Sequence, residues 1–160
     1  MNRPYVFINT ATSADGKIDT FEHKGSAISS KRDKERVDQL RADADAVLVG
    51  GKTLLGELPK LTVKSEALRE ARVKRGVTPN PIKVGVVTSA DIPLDSDFIK
   101  AGPARAVIFT TSRTSISQLE TLRANGVEVF VDAAPRVNLH KMMEMLGELG
   151  VKRLMVEGGG

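Results

Sequence analysis

The sequence predicts an α/β fold built on a largely parallel sheet. Short runs rich in Val, Ile and Phe alternate with longer amphipathic stretches, the pattern of strands and helices taking turns. Some of the short runs are apolar throughout, as in AVLV at 46–49 and AVIFT at 106–110, which is how strands covered on both faces read. Cap residues and glycines punctuate the boundaries between the runs.

The elements follow in order. Tyr5 to Thr10 is β-branched and aromatic and reads as a strand. Asp15-Gly16 is a turn signal. Residues 30–42 read as a helix, with Ser29 or Ser30 as the cap, Val37 and Leu40 on one face, and Arg32, Lys34 and Glu35 in water. Ala46 to Val49 is a short buried strand ending at Gly50-Gly51. Lys64 to Arg75 predicts a charged surface helix, supported by the Glu70–Lys74 pair and closed by Gly76. Strands follow at 82–88 and 106–110. Ser115 to Asn125 predicts a helix with the Ser115/Gln118 spacing of a capping box and an inner stripe of Ile116, Leu119 and Leu122. Residues 127–131 form a strand. Asn138 caps a helix carrying Leu139, Met142, Met143, Leu146 and Leu149, and Arg153 to Val156 is the last strand.

The chain has 160 residues, enough for one domain with a sizeable core. It contains no cysteine, which excludes thiolate metal sites, disulfides and a cysteine nucleophile, and it suits a reducing cytoplasm. Its two histidines, His23 and His140, are too few for a multi-histidine metal site, so no metal is expected. No apolar run approaches the ~20 residues needed to span a bilayer, and residues 1–4 lead straight into a strand without a signal-peptide core. The net charge of +4 suits a phosphorylated metabolite. Aromatic residues are 4% and the basic residues are dispersed among acids, so no nucleic-acid partner is expected.

Several residues stand where ligands meet α/β sheets. Glu157 directly follows the last strand, where an acid at a carboxyl end often faces a ligand. Gly158-Gly159-Gly160 then resembles a turn whose amides approach a phosphate. No helix follows these glycines, which predicts a single domain over 1–160 truncated at its C-terminus. Gly50-Gly51-Lys52-Thr53 ends like a P-loop, but the first glycine of that motif would fall on Ala46, so a Walker A site is excluded. Thr53 at this turn is a candidate anion contact. Asn9, Ser13, Asp15 and Lys17 gather after the first strand, either as a polar site or simply as a turn. Arg41 beside Leu40 reads on spacing as a solvated surface residue. His23 and His140 carry no assigned role.

Three ordered stretches resemble one family. RPYVFINTATSADGKI (residues 3–18), LRADADAVLVGGKTLLGELPKLTVK (40–64) and the terminal MVEGGG are similar to the three motifs of the pyrimidine reductase domain of riboflavin biosynthesis. The resemblance spans nearly the whole chain. It implies a dihydrofolate-reductase-like three-layer α/β/α fold with a mixed, largely parallel central sheet. It also implies NADPH-dependent reduction, with NADH as the other possibility, of a ribosylamino side chain to ribitylamino on a phosphorylated pyrimidine. Many bacterial members carry a preceding zinc deaminase, whose cysteine ligands this chain lacks. The resemblance therefore points to the stand-alone form, a cytoplasmic homodimer acting on 2,5-diamino-6-ribosylamino-4(3H)-pyrimidinone 5′-phosphate. Family members continue past the last motif.

Residue by residue, the resemblance places cofactor contacts on Ala11, Ala27, Thr53, Glu57, Ser89 and Gly158, Gly159 and Gly160. Glu57 stands where the family has Asp, and Leu58 replaces an Asp or Asn. Substrate contacts fall on Ser26, Arg41, Leu61, Lys64 and Glu157. Lys64 replaces an arginine, keeping a positive charge for a phosphate without the fork. Arg41 and Lys64 are expected to hold the phosphate and Glu157 the ribose or imine. Asp15 and Lys17 are the candidate proton donors, and with Glu157 they make up the expected catalytic set. Two other readings stay open: a reductase of the same fold acting on a pterin-like substrate, and a nucleotide-binding relative without turnover.

Overall fold

The β-branched runs become six strands, and every pairing among them is parallel. The computed structural model describes residues 3–18 and 29–158. In chain order the elements are β1 (Tyr5–Ile8), α1 (Lys31–Asp43), β2 (Ala46–Gly50), α2 (Gly51–Glu57), α3 (Glu66–Lys74), β3 (Ile82–Val86), α4 (Asp97–Lys100), β4 (Ala106–Thr111), α5 (Ile116–Ala124), β5 (Glu128–Asp132), α6 (Leu139–Glu148) and β6 (Arg153–Glu157). The sheet order is β1-β6-β2-β3-β4-β5. The last strand thus lies between the first two.

Side chains alternate across this sheet and divide the core in two. Val47, Val49, Ile108 and Met155 face a layer that includes Leu54 of α2, Phe98 of α4 and Leu122 of α5, with Val37 and Leu40 of α1 packed against it. Ala46, Leu48, Val84, Val107, Phe109 and Leu154 face Met142 and Leu146 of α6. The result is the expected three layers. All six residues of β4 are buried, the two threonines at its end included, as in a strand covered on both faces.

The helix ends follow their caps. Ser30 accepts the Asp33 N–H at 3.2 Å, and Asn138 accepts those of His140 and Lys141. Gly76, Gly126 and Gly150 each close a helix at positive φ.

Several local expectations are corrected. The charged helix begins at Glu66 with Ser65 as its cap, which leaves Lys64 in a loop. Ser115 accepts the Gln118 N–H, but the Gln118 side chain donates to the carbonyls of Ala90 and Ile92, so no capping box closes. Ile116 is 75% exposed and Leu139 is 55% exposed, each as the first residue of its helix rather than part of the inner stripe. The four-residue α4 is too short for a periodic signal.

One buried charge stands out. Lys83 of β3 is completely buried, with Nζ 3.0 Å from the Ala101 carbonyl and 5.7 Å from the Phe98 ring centroid. Burial pushes its pKa down to about 8.

Candidate functional site

In open α/β sheets, ligands bind beyond the carboxyl ends of the strands, where strand order departs from chain order. Here that place lies at β6, between β1 and β2. The register sets Glu157 of β6 opposite Val49 of β2.

Glu157 meets Arg41 of α1. Arg41 Nε donates to Glu157 Oε1 at 2.7 Å, and Nη2 donates to Oε2 at 2.7 Å. This is the bidentate fork that arginine forms best. Arg41 Nη1 also donates to the Thr62 carbonyl at 3.1 Å. Burial works against the Arg41 charge, but the Glu157 carboxylate together with the nearby Asp38 more than offsets it and holds the guanidinium above its ordinary pKa.

The loop between α2 and α3 is clamped by side chains rather than by regular structure. Asp38 of α1, itself buried, accepts the backbone N–H groups of Lys64 and Ser65 at 2.7 and 2.8 Å. Asn80 accepts the Val63 N–H at 2.9 Å. Arg69 donates to the carbonyls of Val63 and Lys64. Leu61 takes φ 51° and buries its side chain in the core, so only its backbone can meet a ligand. The Lys64 side chain is exposed, with no partner among the described residues. None of Asp38, Asn80 and Arg69 stood out in the sequence; an acid three residues before Arg41, on a face shared with it, is the signal that could have found the clamp.

The turn from β2 into α2 packs tightly. A β-carbon at Gly51 would lie 3.3 Å from Val87 Cγ2, so glycine lets α2 start against the end of β3. Thr53 is thereby brought to β6. Gly158 has φ 122°, and a β-carbon there would lie 3.0 Å from Thr53 Oγ1. The missing side chain leaves the backbone bare beside a hydroxyl, a cradle that fits a cofactor approaching closely.

Other expected residues do not join this group. The Asp15 carboxylate accepts the Ser13 hydroxyl, and Ser13 bonds Lys17 through backbone and hydroxyl, so both residues belong to one closed turn. Neither bonds to Arg41, Glu157 or Thr53 among the described residues. Ser89 donates to Asp91 at 2.9 Å in the turn after β3. Glu57 is exposed at the end of α2, and Leu58 takes the left-handed conformation (φ 48°, ψ 52°) that Asp and Asn adopt more readily. Ala11 is exposed beyond β1. Ser26, Ala27, His23, Gly159 and Gly160 lie outside the described residues. Arg36, not singled out by the sequence, donates to Asn9 Oδ1 at 2.7 Å and ties α1 to the end of β1.

Among the described residues no helix is long and apolar enough to cross a membrane, and no three His, Cys, Asp or Glu side chains gather as metal ligands.

Residues 4–160 match the family model described as the RibD C-terminal domain. A 2,5-diamino-6-ribosylamino-4(3H)-pyrimidinone 5′-phosphate reductase from Archaeoglobus fulgidus is 43% identical over 158 residues, covering 99% of this chain and 71% of that protein. A reductase of the same name from Aquifex aeolicus is 34% identical over 163 residues, covering 99% of this chain and 68% of that protein. The fold is similar to that of a pyrimidine reductase-like protein from Corynebacterium diphtheriae, with a TM-score of 0.82 at 24% identity, over 99% of this chain and 66% of that one. The chain thus spans about two thirds of the length of each of the three.

Proposed function

The chain belongs to the RibD C-terminal domain family, and from that premise we propose that it is a cytoplasmic, NADPH-dependent reductase. Its substrate is a ribosylamino-pyrimidinone 5′-phosphate, whose side chain it reduces to ribitylamino. The observation that carries this reading is the 43% identity, over almost the whole chain, to the archaeal reductase of that name. The close approach of the Gly158 backbone to the Thr53 hydroxyl at the carboxyl edge, which no β-carbon would allow, supports a nicotinamide cofactor there.

The chain's own residues divide the work by chemistry. A bound nicotinamide would supply the hydride for C1′ of the opened, imine form of the side chain. Glu157, an acceptor with its plane fixed, orients the ribose hydroxyls and favours the protonated imine that accepts the hydride. Lys64 offers the phosphate an exposed ammonium that has no partner among the described residues. The backbone at Leu61 and the Thr62–Ser65 loop shape the wall between these two ends. Neither Asp15 nor Lys17 is hydrogen-bonded toward Glu157, so positioning outweighs proton donation in this reading.

The test is NADPH oxidation, followed by its absorbance, with the diamino substrate and separately with its deaminated counterpart. Turnover of the diamino form supports the reading, and turnover of neither form sinks it. Replacing NADPH with NADH in the same assay decides the cofactor. Light scattering after gel filtration checks the homodimer that the resemblance implies.

A further inference from the structure

Lys83 stands early in β3, with Val47 and Ala106 as its partners in the register, on the face that α4 covers. Its side chain is completely buried. An ammonium has three donors, and among the described residues one of them is met, by the Ala101 carbonyl at 3.0 Å. Ala101 closes α4, and Phe98 of the same turn lays its ring centroid 5.7 Å from Nζ. At the other end of α4, Ser96 is buried and its hydroxyl has no partner among the described residues. A helix of four residues cannot hold itself, so α4 stays closed through packing, with the fully buried Phe98 as its anchor. The closed position thus leaves polar groups unmet at both of its ends.

Burial presses against the Lys83 charge and outweighs the pull of Asp97, the charged group that acts on it. Lys60, from the loop after α2, approaches Asp97 at 3.7 Å. Lys100 of α4 is exposed, and Arg105, whose carbonyl accepts the Lys83 backbone N–H, turns its guanidinium to Glu128. The chain leaving α4 packs on the loop between α2 and α3. A β-carbon at Gly102 would lie 3.1 Å from Asn80 Nδ2 and 3.2 Å from Thr62 Cγ2. Asn80 in turn accepts the Val63 N–H.

We infer that α4 is a strap whose closure over Lys83 is set by the protonation of that lysine, and that its release frees Asn80 and the backbone at Val63. The strap belongs to the chain's own packing and stands whether or not the reductase reading does. A neutral amine fits the closed position, giving one N–H to Ala101 and keeping no charge in the core. An ammonium there has two donors unmet, and opening α4 brings water to them and to the Ser96 hydroxyl together. Closed, Lys83 has a pKa of about 8; opened to water, it returns to the ordinary 10.5. Between these values the open form binds more protons, so opening is favoured as pH falls and suppressed as pH rises. From pH 7 to pH 9 the opening equilibrium falls about tenfold.

The test is amide hydrogen exchange on the full chain at pH 7, 8 and 9, corrected for the intrinsic rise of exchange with pH. The amides of Lys100 and Ala101, which bond to Ser96 and Asp97, report the strap. That of Val63 reports the loop, and those of β4 report the whole fold. Protection of Lys100 and Ala101 is expected to rise about tenfold from pH 7 to pH 9, while staying below that of β4. Val63 follows the same curve. In K83M, which fills the space without a titrating group, the strap amides keep one protection at every pH. Should K83M pack badly, K83Q is equally unable to titrate and gives the same reading. Strap protection that is flat with pH in the unaltered chain overturns the inference, and so does a tenfold rise that survives in K83M. Exchange of Lys100 and Ala101 only at the rate of β4 would mean that α4 opens with the whole fold, and it also sinks the strap. A Val63 amide that stays flat while the strap responds removes the coupling to the loop.

Discussion

The Asp38 carboxylate on α1 accepts the backbone N–H of Lys64 at 2.7 Å. Its second oxygen takes the N–H of Ser65, so one buried acid holds the loop that presents the Lys64 ammonium. D38A strands both donors, at a cost of about 1–3 kcal/mol. Thermal unfolding is expected to shift down by about 2–4 °C per kcal/mol in a chain of this size. KM for the phosphorylated substrate rises with it. D38N, which keeps one acceptor oxygen, falls between the two. An unchanged melting temperature in D38A would show that the loop holds itself.

Gly158 is the next place to press. Its φ of 122° is costly for any other residue, and an added β-carbon would crowd Thr53 Oγ1. G158A is expected to lose about 1–3 kcal/mol of stability through the backbone alone. Cofactor binding, read by NADPH fluorescence titration, weakens as well. T53A added to G158A relieves the crowding but not the backbone strain, so recovery of stability is partial. Full recovery would place the whole penalty in the side-chain contact.

Gly85 of β3 lies under α2. A β-carbon there would stand 2.6 Å from Leu54 Cδ2, and Leu54 is fully buried with no room to swing aside. G85A is expected to cost about 1–3 kcal/mol by overpacking. It also displaces Thr53, the neighbour of Leu54, and so weakens NADPH binding. L54V, smaller by one methylene, restores part of both losses in the double variant. Denaturant unfolding and cofactor titration on the single and double variants check the pair.

Lys83 gives the fold a pH dependence of defined sign. Its folded pKa of about 8 lies below the ordinary 10.5, so between these values the unfolded chain binds more protons. Stability from this group therefore rises with pH across that window, and below it the full penalty of a buried charge is present. The rise is on the order of 3 kcal/mol at most. K83M removes the group, and the difference between K83M and the unaltered chain in denaturant unfolding should shrink steadily from neutral pH to about pH 10. A difference that stays flat would mean that the ammonium reaches water.

The strands and most helices were legible because their patterns are local. AVIFT in β4 announces burial on both faces without knowledge of its neighbours. The pairing of Arg41 with Glu157 was not legible, since the two residues are 116 positions apart and only the insertion of β6 beside β2 brings them together. On spacing alone Arg41 read as a surface residue, and the resemblance read it as a phosphate ligand. Lys83 was hidden for a related reason. A lysine within a strand ordinarily points to water, and only α4, too short to leave a periodic trace, closes over it. Asp15 reads both ways, because Asp-Gly carries the same signal whether the acid serves a turn or a site.

The position of β6 also governs when the protein can be born functional. Tyr5 pairs with Arg153 across the sheet, so the first strand finds its neighbour only after Arg153 has left the ribosome. At ~5–20 residues per second this is a wait on the order of 10 s. Meanwhile β2 to β5 can pair among themselves, but the open edge of Ala46–Gly50 stays available to other chains until β6 slides in. A nascent chain halted before Arg153 therefore has neither a sealed edge nor the carboxylate that Arg41 grips.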